Sequence, residues 1–117
     1  MPSTTSYKSG DVVLVPFPFT DLTGAKQRPA LVISGDVFNS TRDDALIVAI
    51  PSQVHADLKA DEFLVPAAEL SACGLPKPSI LRLLKLVSLH QQLIIKRIGK
   101  MPEPVLVQIL EQIRKLL

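Results

Sequence analysis

Apolar and polar positions divide this chain into many short apolar runs, each closed by a proline, a glycine or acidic residues. One longer run of a different period follows at the end. Residues 1–9 are Ser/Thr-rich and predict a loose start. Gly10-Asp11 is a turn signal, and Val12, Val13, Leu14 and Val15 then read as a strand. Pro16 and Pro18 cannot donate to a ladder, so that strand ends near Val15 or runs on only as an edge. Thr20 to Gln27 predicts a polar loop, and Ala30 to Ser34 a second strand, stopped by Gly35-Asp36. The polar DVFNSTRDD reads as a connecting loop, with Phe38 folded back on the core. Ala45 to Ile50 is short and β-branched, which favours a buried strand over a helix.

Pro51-Ser52-Gln53 closes that strand, and Val54 to Asp61 is another polar connection. Glu62 to Pro66 predicts a strand, Ala67 to Ala72 a helical turn, and Gly74 to Pro78 a hard break. Ser79 to Leu89 reads as one strand, and an apolar segment with Ile94 and Ile95 ends at Gly99. From Pro102 the period changes: Leu106, Ile109, Leu110, Ile113 and Leu116 recur at helical spacing. A proline suits the first turn, where its missing N–H matters least. Glu103 at the start and Arg114 and Lys115 at the end complement the helix dipole. Strands without βαβ alternation, followed by one helix, predict a mainly β chain. A small antiparallel barrel with a C-terminal α-helix fits.

The length, 117 residues, fits one domain spanning 1–117. A hydrophobic fraction of 47% and a mean hydropathy of +0.31 supply ample core for so small a chain. A homodimer that covers part of this apolar surface accounts for it, as does a densely packed monomer. The net charge of +2 is compatible with a polyanionic partner without requiring one. One cysteine, Cys73, excludes an intrachain disulfide and fits a reducing cytoplasm. No metal-ligand spacing exists, and no cofactor motif is present. The N-terminus has no apolar signal-peptide core, and no apolar run is long enough to span a bilayer.

Arg28 stands where the first polar loop meets the second strand. A guanidinium there can face a groove, and its fork matches phosphate oxygens. It is suited to stabilise charge on a phosphorane and unsuited to act as a base. The run GDVVLVPFPFTD, a basic Gly-containing loop, and then QRPALVIS together resemble the start of MazF/PemK-type toxins of type II toxin–antitoxin systems. The resemblance extends over most of the chain after about residue 8.

It implies an SH3-like antiparallel β-barrel of the MazF/PemK/CcdB type. It also implies a metal-independent endoribonuclease, cutting single-stranded RNA through attack of a 2′-hydroxyl. Partners implied are RNA, a cognate antitoxin and a second copy of the chain. Arg28 and Ser52 would be catalytic. The family's Thr falls on Pro51, which has no hydroxyl. Strand alternation aims Ser52 to the other face unless a bulge re-aims it.

The resemblance further implies RNA contacts from Phe17, Phe19, Thr20, Lys26, Gln27, Gln53, Ser79, Arg82 and Lys85. Aromatics beside a basic loop can stack unpaired bases. Pro78-Ser79-Ile80-Leu81-Arg82 matches the family stretch that opens a later strand, and Leu84 stands where an acidic residue is common. Two other readings remain: a non-catalytic RNA- or antitoxin-binding paralogue, and a CcdB-like gyrase poison. His55, in a connecting loop, and His90, at a strand end, read as surface or turn histidines. Cys73 reads as a small apolar residue.

Overall fold

The computed structural model describes residues 6–17, 26–51 and 55–117. Among the described residues, seven strands and three α-helices follow in the order β1 (Asp11–Phe17), β2 (Lys26–Val32), α1 (Asp36–Thr41), β3 (Asp44–Ala49), β4 (Glu62–Leu64), α2 (Leu70–Cys73), β5 (Ile80–Arg82), β6 (Leu86–His90), β7 (Lys96–Lys100) and α3 (Glu103–Leu116). Single 3₁₀ turns precede α2 and link β6 to β7. The architecture is mainly β with a C-terminal helix, as the pattern predicts. Five strands form one antiparallel sheet in the order β6-β3-β2-β1-β7, and β4 pairs with β5 alone. Among the described residues the large sheet does not close: β6 and β7 are its edges.

The core strands are buried on both faces, so their sequences are nearly continuous apolar runs rather than alternating ones. On one face Val12, Leu31, Val48 and Ile50 pack with Leu81 and Leu83 and with Leu106, Ile109 and Ile113 of α3. On the other, Val13, Val15, Ala30, Val32 and Ile47 are covered by Leu89 and Ile94. Ile95 ties the covering segment to the sheet by donating its N–H to the Leu14 carbonyl at 2.8 Å. Each such fully buried aliphatic side chain is worth about 1.5–3 kcal/mol of transfer free energy.

Of the two outcomes the sequence leaves open for β1, the structure shows the edge extension; the start of β2 and two further segments differ from expectation. β1 runs on past Pro16, paired with β2 alone: Pro16 faces Gln27 and Phe17 faces Lys26, whereas pairing with β7 stops at Leu14. Beyond Leu14, β1 is therefore an edge on its β7 side, a place where a proline costs no ladder bond. Pairing with that extension also starts β2 at Lys26 instead of Ala30.

The second difference is DVFNSTRDD, most of which forms α1. Phe38 is 44% exposed, and Asn39 is the residue turned inward. Its amide donates to the Tyr7 and Ser34 carbonyls at 2.9 and 3.0 Å and accepts from the Ser34 hydroxyl. A fully hydrogen-bonded Asn thus takes the interior place, because a buried amide is tolerated once its partners are supplied.

The third is the predicted strand Ser79–Leu89, which is two strands. Lys85 N–H bonds the Arg82 carbonyl at 3.0 Å and Leu83 N–H bonds Asp61 at 2.7 Å, turning the chain from the small sheet into the large one. The β4–α2–β5 unit is pressed onto β7 at two glycines. Gly74 ends α2 at φ +70, and a Cβ there would collide with the Ile98 carbonyl. A Cβ on Gly99 would lie 2.6 Å from the Ala72 oxygen. Only glycine permits this approach of helix end to strand.

Candidate nucleic-acid interface

Lys26, Gln27 and Arg28 form the exposed first half of β2. Strand alternation puts Lys26 and Arg28 on one face and Gln27 on the other. Arg28 pairs with Val15, so its backbone is held by the ladder while its side chain is exposed. It shares the face of Ala30 and Val32. The β2–β3 register pairs Ala30 with Ala49, and Ile50 N–H bonds the Pro29 carbonyl at 3.1 Å. One residue further along this register, Pro51 stands level with Arg28. Bonded and non-bonded pairs alternate in an antiparallel ladder, so the Arg28–Pro51 position is a non-bonded one. Pro51 therefore costs the sheet no hydrogen bond.

The later predicted residues lie on the opposite face, with β4 and β5. Ser79 is only 4% exposed, and its hydroxyl donates to the Lys77 carbonyl at 2.9 Å. It closes a turn instead of presenting a hydroxyl to a groove. Arg82 is exposed, faces Glu62 across the β4–β5 pair, and has its Nε 3.9 Å from Asp61 Oδ2. Lys85 is exposed in the turn that follows. No hydrogen bond or ion pair joins Arg28 to Ser79, Arg82 or Lys85 among the described residues. Ser52, Gln53, Phe19 and Thr20 lie outside the described residues, as does the side chain of Phe17.

One constellation carries no motif in the sequence. His55 Nε2 lies 2.9 Å from Glu62 Oε1, and the same oxygen accepts the Lys59 N–H at 2.8 Å. The Glu62 side chain is 6% exposed and the His55 side chain 46%. The His55 hydrogen bond, then the Lys59 amide, hold the Glu62 carboxyl below its ordinary value, outweighing its desolvation. The only cue in the sequence was a glutamate opening the apolar run EFLVP. Loop closure over seven residues, which brings His55 to it, has no sequence signature. His90 behaves as a turn residue, its Nδ1 accepting the Gln92 N–H at 3.2 Å.

A second buried carboxylate, Asp11, accepts the Lys8 N–H at 2.8 Å, with Arg97 and Lys100 at 3.5 and 3.8 Å from its other oxygen. Those two cations border a shallow depression of about 410 Å³ beside α2. Cys73 is fully buried against Met101, and burial pushes its thiol up to about 11, as suits an inert core residue. Among the described residues no group of three His, Cys, Asp or Glu could hold a metal ion.

A toxin scaffold is what this sheet-and-helix arrangement matches. Residues 8–117 match the family described as the PemK-like, MazF-like toxin of type II toxin-antitoxin systems, and the chain belongs to that family. Solved structures agree in fold. MazE-MazF (Form-II) from Deinococcus radiodurans matches with a TM-score of 0.73 at 21% identity, over 97% of this chain and 96% of that one. An endoribonuclease in complex with its cognate antitoxin, from a mycobacterial species, gives 0.74 at 11% identity over 94% and 93%. The Mycobacterium tuberculosis toxin MazF-mt6 gives 0.66 at 18% identity over 90% and 96%. A sequence comparison with curated proteins returns no match. No described helix is long and apolar enough to cross a membrane.

Proposed function

We propose that this toxin-family chain is a metal-independent endoribonuclease acting on single-stranded RNA in the cytoplasm, as a single domain over 1–117. The family match across residues 8–117 carries the reading. An exposed Arg28 on a strand fixed by pairing on both sides supports it. In the reaction, the 2′-oxygen attacks phosphorus and the bond to the 5′-oxygen breaks, leaving a 2′,3′-cyclic phosphate and a 5′-hydroxyl. Arg28 stabilises the charge gathered on the phosphorane; a positioned guanidinium is strongest where water is excluded. Lys26, on the face of Arg28, draws in the backbone; Gln27, Arg82 and Lys85, on the opposite face, are further candidate contacts. A second copy of the chain and an antitoxin are the partners in this reading; solved relatives include toxin–antitoxin complexes.

The experiment is incubation of the purified protein with a long single-stranded RNA in EDTA, with mapping of the ends. The expected result is cuts at one recurring short sequence, lost in a folded Arg28→Ala variant. Unchanged cutting by that variant refutes the role of Arg28. Intact RNA that is nonetheless bound tightly establishes the second reading, a binding module, which the Pro at position 51 favours.

A further inference from the structure

We infer that Arg97 and Lys100, set side by side on β7 by a β-bulge and the buried Asp11, form a second phosphate-binding site that holds the RNA backbone away from Arg28. This rests on the reading above that RNA is the partner. In the register of β7 on β1, Val12 faces Gly99 and Val13 faces Arg97, so Ile98 is left over. In a regular strand, residues three apart point to opposite faces. The extra residue cancels that alternation and brings Arg97 and Lys100 to one side. Both reach Asp11 Oδ1, at 3.5 and 3.8 Å. Lys96, opposite Leu14, points to the other face and is not part of the site.

Asp11 holds the two cations together without using their donors. Its side chain is 4% exposed, and its other oxygen already accepts the Lys8 N–H. Oδ1 accepts no hydrogen bond among the described residues, so neither cation spends an N–H on it. Two cations share this one carboxylate, and no other described acid pairs with either, so one positive charge is left over. Both side chains are more than half exposed and border the depression of about 410 Å³ beside α2. A guanidinium fork next to an ammonium is complementary to the oxygens of a phosphodiester. A shallow depression suits a backbone lying across it better than a small molecule enclosed by it.

The continuous ladder β2–β1–β7 places the site relative to Arg28. Val15 faces Arg28, and Val13 faces both Ala30 and Arg97, so Arg28 and Arg97 stand on one face, two strands apart. Two strand spacings, and two residues along the strand, separate their Cα atoms by about 12 Å. A single strand a few nucleotides long spans that distance, passing over the Leu89 and Ile94 that cover this face. Contacts of this kind position the strand and carry no sequence information.

The test measures binding of a short 2′-O-methyl RNA, which lacks the attacking hydroxyl and stays whole, by fluorescence anisotropy over a salt series. Wild type is compared with the double variant Arg97→Gln/Lys100→Gln. The control is Arg114→Gln/Lys115→Gln, which removes the same charge at the end of α3; circular dichroism checks each for folding. Losing one phosphate contact should lower the slope of log K against log salt by about 0.7, and the affinity at about 0.1 M salt by about fivefold. The control should keep the wild-type slope. With cleavable RNA, the β7 variant should raise KM and leave kcat little changed. If wild type binds RNA and the β7 variant keeps its slope and affinity, the inference falls while the RNA reading stands. Equal losses in both variants also overturn it, since net charge alone then explains the binding. Loss of poly-L-glutamate binding without loss of RNA binding would give the site to an acidic peptide instead. If wild type binds no RNA, both fall.

Discussion

Substituting alanine for Gly74 tests whether the docking of the β4–α2–β5 unit depends on a backbone approach that only glycine permits. The residue is at φ +70, where a side chain costs about 1–2 kcal/mol. A Cβ would also overlap the Ile98 carbonyl oxygen and lie 2.8 Å from its carbonyl carbon, well inside the 3.4 Å at which ordinary contact begins. The obstacle is β7 backbone at Ile98, the residue left over at the β1–β7 bulge, so relief requires moving α2 off β7 or reshaping the bulge. Overpacking of this kind typically costs about 1–3 kcal/mol. The combined penalty is about 2–5 kcal/mol, a large share of the roughly 5–15 kcal/mol that holds a domain folded. At about 4 °C per kcal/mol for a domain near this size, the midpoint should fall by roughly 8–20 °C.

Thermal unfolding followed by circular dichroism reads this directly. Gly35→Ser is the matched control: a Cβ there meets nothing within 4 Å, and serine is a better N-cap for α1 than glycine. It should leave stability unchanged or raise it by up to about 1 kcal/mol. A Gly74→Ala midpoint within about 3 °C of wild type would refute the packing argument.

Two further outcomes follow from the buried groups. Glu62 has a folded-state carboxyl below its ordinary 4.5, so its contribution to stability is complete above that pH and drains away as the pH falls through the lowered value. Wild type should therefore lose more stability than Glu62→Gln when denaturant midpoints are compared on acidifying below pH 4.5; parallel curves would contradict the pairing with His55. Cys73, with its thiol near 11, carries roughly one thiolate in a thousand at pH 8 and is fully buried besides. Thiol reagents should label it only as fast as the protein opens, and rapid stoichiometric labelling of the native state would be the contrary result.

What the chain discloses in advance depends on how local its causes are. The C-terminal helix was legible because its apolar period and its dipole-matched ends are written in consecutive residues. β1 and β3 were legible as dense β-branched runs. α1 was missed because its stability comes from Asn39 reaching Tyr7 and Ser34, not from an apolar stripe. The single strand predicted over Ser79–Leu89 failed because an uninterrupted apolar run conceals a turn: Leu83 is fully buried although it bends the chain. Arg28 could be singled out from its motif, and its pairing with Val15 then follows from the hairpin of β1 and β2. Glu62 and His55 could not, since a buried carboxylate and its loop partner are matched by tertiary contact alone.

The same register gives Pro51 a testable meaning. A non-bonded antiparallel pair brings its Cα atoms to about 4.5 Å, closer than a bonded one, so a threonine at 51 would set its hydroxyl beside the Arg28 guanidinium. Proline fits that backbone at no cost in ladder bonds, and replacing it loosens the unfolded chain by only about 0.4–1 kcal/mol. Pro51→Thr should therefore raise the wild-type cleavage rate by about tenfold or more, about 1.4 kcal/mol off the barrier, because a hydroxyl beside the guanidinium can relay a proton. In the Arg28→Ala background, where the phosphorane has lost its clamp, the same substitution should restore little cutting. The two substitutions would be coupled, as residues sharing one task are. Equal gains from Pro51→Thr in both backgrounds would mean that the hydroxyl and the guanidinium act independently, and the idea that the two meet at one phosphate would have to be given up.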